Sequence, residues 1–111
     1  MKKIVALVLA LMMVLSLAAV ATAETASKGI IYIITPSTSN PFFGTEQLVG
    51  APKVEAMGYT AKCFSHDDAA ALQLQLFEAA INDKAVAIIC DNAGADASIE
   101  AVRMATEAGI P

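Results

Sequence analysis

Histidine occurs once, at position 66, and cysteine twice, at 63 and 90, with no Cys-x-x-Cys spacing. That leaves few ligands for a zinc-type centre, which draws on clusters of those side chains. His66, beside Asp67 and Asp68, gives no assignable Ser-His-Asp constellation, so the chain does not read as an enzyme. Basic residues are also scarce: seven Lys and Arg stand against eleven Asp and Glu, a net charge of −4. Nucleic acid and anionic membrane surfaces both need a basic patch, so neither is an expected partner. A Gly-rich turn that would let backbone N–H groups approach a phosphate is missing after the first strand-like run. No nucleotide or other cofactor is expected.

What is present begins with a leader. Lys2 and Lys3 form a positive head, Ile4 to Leu17 is almost wholly apolar, and Ala21-Thr22-Ala23 places small residues where a signal peptidase reads. This pattern predicts a secretory signal over 1–23, cut before Glu24. An apolar stretch of about 20 residues can also anchor a protein in a bilayer; the small-residue exit into Glu24-Thr25 favours cleavage. No cysteine stands near the cut, so no lipid anchor is expected and the mature protein is predicted to be free in the periplasm. Without Lys2 and Lys3, five basic residues face eleven acidic ones, for a net charge of −6.

Beyond the leader, Gly29–Thr35 is a continuous β-branched run, as in a strand buried on both faces. A helix is predicted from Phe42 to Met57, stopped by Gly58 at the C′ position. Tyr59–Phe64 reads as a second strand, and Ser65–Asp68 as a loop whose acids cap the next helix. From Ala69 the positions Leu72, Leu76, Ala79 and Ala80, with Leu74, Phe77 and Ile81, recur at helical spacing around much of a well-buried helix. Ala85–Cys90 reads as a third buried strand, Asp91–Asp96 as a loop, and Ala97–Ala108 as a helix ended by Gly109. The order β-α-β-α-β-α specifies an α/β fold: a three-layer parallel sheet with helices on both faces. In a right-handed arrangement the second and third strands flank the first. Cys63 and Cys90 then lie about 9–10 Å apart as unpaired, buried thiols, beyond the reach of a disulfide.

Ligands of open α/β sheets lie beyond the carboxyl ends of the strands. That rule singles out Pro36–Pro41, Ser65–Asp68 and Asp91–Asp96. Phe42 and Phe43 start a helix directly after the first of these loops. Adjacent helical residues point about 100° apart, so both rings cannot easily face one core. An aromatic at a cleft mouth offers a flat apolar surface to the C–H face of a sugar, and Asn40 can donate and accept hydrogen bonds. The combination suits a small neutral sugar or polyol.

Asn-Pro-Phe-Phe (40–43) after Ile-Ile-Tyr-Ile-Ile-Thr, then Met-Gly-Tyr (57–59) and Ala-Gly-Ile-Pro (108–111), resembles the ribose-binding-protein-like family of periplasmic substrate-binding proteins. Ser-His-Asp-Asp (65–68) and Asp-Asn-Ala-Gly-Ala-Asp (91–96) resemble a branch associated with pentoses and sugar alcohols. The resemblance covers the whole mature chain. It implies an exported sugar-binding component of an ABC importer, whose two domains clamp the ligand and pass it to a permease in the inner membrane. Residues 24–111 would form an incomplete N-terminal lobe of the periplasmic binding protein type 1 fold. By the same resemblance Asn40 hydrogen-bonds the sugar, Phe42 and Phe43 stack on it, and Asp91 lies near the cleft. A sensory module presenting a sugar to a chemoreceptor or sensor kinase is the alternative on this fold. A repressor is disfavoured by the export signal and the lack of a basic helix-turn-helix segment.

Two departures from the family pattern stand out. Pro52 lies inside the first helix, where it removes the bond to the Leu48 carbonyl at a cost of about 3 kcal/mol or more, predicting a bent or broken helix. Gly44 and Gly50 weaken the same helix by up to about 1 kcal/mol each. The sequence also stops at Pro111, where a fourth strand is expected to begin. Alone, the chain is expected to be marginally folded and to bind no pentose measurably, whereas a form extended through a second domain binds tightly.

Overall fold

A computed structural model describes Met1, Lys3, Ile4 and residues 25–111. The leader expected over 1–23 otherwise lies outside the described residues. Among the described residues no helix is long and apolar enough to cross a membrane. Six elements alternate: β1 (Ile30–Thr35), α1 (Pro41–Ala56), β2 (Thr60–Ser65), α2 (Ala70–Asn82), β3 (Ala87–Cys90) and α3 (Ala95–Glu107).

The strands form one parallel sheet in the order β2-β1-β3. β1 is central because its Ile-Ile-Tyr-Ile-Ile-Thr run can lose both faces to packing without stranding a polar side chain. Its alternation divides the core. Ile31 and Ile33 meet Val54 of α1, while Tyr32 and Ile34 meet Phe77 and Ala80 of α2 and Ala101 and Ala105 of α3. Each fully buried Ile contributes roughly 1.5–3 kcal/mol. The expected three-layer architecture is what the chain adopts.

The outer strands depart from expectation. β2 and β3 are only half covered, and Phe64 and Ile89 are exposed. Apolar composition alone does not separate a central strand from an edge. Cys63, expected in the core, is consequently exposed, whereas Cys90 is half-buried. Both thiols are free, as expected, with β1 lying between their strands. In α2, Phe77 and Ala80 are buried but Leu72, Leu74 and Leu76 only half so, and its most enclosed polar residue is Gln73.

α1 starts where Asn40 Oδ1 accepts a hydrogen bond from Phe42 N at 3.0 Å, with Pro41 in the first turn. Gly44 has a steric reason: a Cβ there would stand 3.0 Å from the Thr38 carbonyl oxygen, where the preceding loop crosses the helix. Gly58, at φ +93°, ends the segment as expected. The break expected at Pro52 does not occur, and the helix runs unbroken from Pro41 to Ala56. Pro52 and Leu48 both lie on the exposed side, where water can take up the freed carbonyl. Gln47, Ala51 and Val54 hold the inner side against the sheet.

The capping expected of Asp67 and Asp68 does not occur either. Ala69 occupies the N-cap of α2 without a side-chain bond. Asp67 and Asp68 instead take left-handed backbone angles, φ 50° and 57°, a conformation that short polar side chains tolerate.

Candidate functional site

The carboxyl ends of the three strands are laced into one floor. His66 N donates to Thr35 O (3.0 Å), Asp67 N to Pro36 O (2.7 Å) and Asp91 N to Ile34 O (3.0 Å). From α1, Gln47 Nε2 reaches both Thr35 Oγ1 (2.7 Å) and Phe64 O (2.8 Å). Helix and floor are thereby joined at the end of the sheet where ligands of such folds bind.

Two buried polar side chains, neither assigned a role from the sequence, carry the third loop. His66 is wholly enclosed. Asp68 N donates to its Nδ1 at 3.1 Å, so the ring proton resides on Nε2, which donates to Asp91 O at 2.7 Å. Gln73 is likewise enclosed, with Oε1 accepting from Ala93 N (2.7 Å) and Nε2 donating to Ser98 Oγ (3.0 Å). Ser98 Oγ in turn donates to Gly94 O at 2.6 Å. Enclosed polar groups satisfied in this way fix the loop that carries Asp91. No periodicity rule finds them, because Gln73 sits among leucines and His66 in what reads as a solvated loop.

Above this floor an open pocket of about 670 Å³ is lined by Phe42, Thr45, Glu46, Val49, Gly50, Lys53 and Asp91. It brings together two of the four residues expected at the site, Phe42 and Asp91. Phe42 is 71% exposed, so its ring is available for contact; Phe43 is half-buried and meets it edge-on, with centroids 5.1 Å apart at 88°. Phe43 thus backs the exposed ring and does not line the pocket. Asn40 is exposed outside the pocket lining; its Oδ1 is engaged in capping, while its amide N–H₂ is unengaged. Glu46 is an addition to the expected set. Its carboxyl is held above its usual range first by a hydrogen bond to Asp91, then by burial and by repulsion from the same residue.

Among the described residues no cluster of His, Cys, Asp and Glu suited to a metal ion occurs. Burial pushes the Cys90 thiol up to about 11, which keeps it protonated and poorly nucleophilic at neutral pH. The pocket offers an aromatic face and two carboxyl groups at a fixed sheet end, with the Asn40 amide outside its lining; such groups can hold a polyhydroxylated molecule.

No family model matches the sequence. Curated relatives do. The chain is 50% identical over 97 residues to a D-apiose import binding protein of Actinobacillus succinogenes, a match covering 87% of this chain and 31% of that protein. It is 47% identical over 91 residues to a D-apiose import binding protein of Paraburkholderia graminis, covering 82% of this chain and 29% of that protein. The chain therefore spans about 30% of the length of these relatives. The resemblance read from its motifs is borne out: this is a homologue of a segment of import binding proteins.

Proposed function

We propose that the chain is part of the sugar-binding component of an ABC importer, exported by its 1–23 leader and free in the periplasm. Residues 24–111 form part of its N-terminal lobe. Its ligand is a small neutral sugar of the pentose class, and D-apiose, a neutral five-carbon sugar, is the first candidate. The loaded protein delivers that sugar to a membrane permease, and the chain catalyses no reaction on it.

The observation that carries this reading is the meeting of an exposed Phe42 ring with Asp91 in one pocket at the carboxyl end of the sheet. Sugars present a C–H face to aromatic rings and hydroxyl groups to carboxylates and amides, and this pocket displays both kinds of partner. Kinship with two import binding proteins supports the same reading.

The test exchanges the matching segment of the Actinobacillus succinogenes protein for this chain's and titrates D-apiose calorimetrically. One saturable site is expected. A folded exchange protein that gives no binding heat with D-apiose or other pentoses would overturn the reading.

A further inference from the structure

Asp91 Oδ2 is sealed from solvent yet has no hydrogen-bond partner in the protein. A carboxylate oxygen in that position needs a donor, because leaving it bare forfeits its hydration with nothing in return. Of the groups lining the pocket, Lys53 lies seven residues beyond Glu46 on the same helix, about 10 Å along its axis. Beneath the loop, His66 spends its Nε2–H on the Asp91 carbonyl, leaving none for the carboxylate. Glu46 lines the same pocket as Asp91, and its carboxyl, raised above the usual range by that neighbour, can bring a proton to the bare oxygen.

We propose that Glu46 and Asp91 act as one recognition element, two carboxyl groups sharing a single proton, which makes the pocket selective for neutral polyols over anionic sugars. The inference rests on the sugar-binding reading above and adds to it a residue and a specificity. A shared pair offers one O–H donor and several acceptor oxygens side by side, matching hydroxyl groups that both donate and accept. It keeps one net negative charge at the inner end of the pocket, and a ligand carboxylate placed there meets like-charge repulsion. Two fully ionised carboxylates in one pocket would repel each other, and two protonated ones would lose the charge that rejects acids. The single proton is what separates a sugar from its aldonate.

Three measurements test this. In the full chain labelled with ¹³C at glutamate side chains, the Glu46 carboxyl is expected to titrate above the exposed glutamates Glu55, Glu100 and Glu107, and Asp91→Asn to return it towards them. A Glu46 that titrates with the others overturns the pair. In the segment-exchanged import protein, D-apiose is expected to bind at least 100-fold more tightly than its aldonate. Equal affinities overturn the selectivity. The double variant Glu46→Gln/Asp91→Asn, which removes both the shared proton and the net charge, is expected to narrow the preference for D-apiose over the aldonate tenfold or more. If that preference is unaltered, the carboxyl pair has no part in selection. Should the proton be shared while neither sugar binds, the sugar-binding reading fails and the carboxyl pair stands.

Discussion

Asn40 caps α1 with its oxygen, its amide N–H₂ is the group proposed to meet a ligand, and substitutions can separate the two. Asn40→Ala removes both and is expected to lower stability by about 1 kcal/mol, the usual worth of an N-cap. Asn40→Ser keeps a capping oxygen and deletes the amide, so stability should hold while sugar affinity falls by roughly 1–3 kcal/mol. Urea unfolding and calorimetry on the two variants distinguish these outcomes; unchanged affinity in both would remove Asn40 from the site. Glu46 gives a pH signature. Its carboxyl is raised in the folded chain, so in the interval above the ordinary carboxylate value the native state holds more protons than the unfolded state. Stability contributed by that proton is present at lower pH and lost as pH rises through the raised value. Unfolding curves taken from about pH 4 towards neutrality should show this decline, and Glu46→Gln should flatten it.

At the scale of elements, the order, parallel pairing and two-sided cover of β1 were legible because alternating strand and helix runs specify a parallel sheet whose right-handed crossovers place the later strands on either side of the first. Phe42 and Asp91 were legible because they flank the carboxyl ends of strands, where such folds bind ligands. Glu46 was not, since the sequence does not tell which polar residue of α1 turns towards the loop after β3. Pro52 was misread because the rule for prolines in helices takes no account of which side of the helix the proline occupies. Pro52→Ala should restore the bond to Leu48 and raise stability, by up to about 3 kcal/mol, as read by urea midpoint. A loss would mean that the ring packs to advantage on the α1 surface. Gln73→Leu strands the Ala93 N–H and removes the donor to Ser98 Oγ, at an expected cost of about 1–3 kcal/mol. The strand order also keeps the cysteines apart. Titration of the unfolded, non-reduced chain should find two free thiols.

The described residues form a three-stranded sheet with one helix on one face and two on the other, and the pocket lined by Phe42 and Asp91 lies at one end. The chain corresponds to about 30% of the length of its relatives. Function is therefore best read inside a complete import binding protein, where a pocket can enclose its ligand. The central claim is that the exposed ring of Phe42 is a sugar platform. The decisive comparison is D-apiose affinity in the segment-exchanged protein against its Phe42→Ala and Phe64→Ala variants. Phe64 is a fitting control, an exposed aromatic packed on Tyr32 with centroids 5.2 Å apart and no place in the pocket. Phe42→Ala is expected to weaken binding by roughly 1–3 kcal/mol, about tenfold for each 1.4 kcal/mol, while Phe64→Ala leaves it unchanged. Equal affinity in all three proteins would contradict the account.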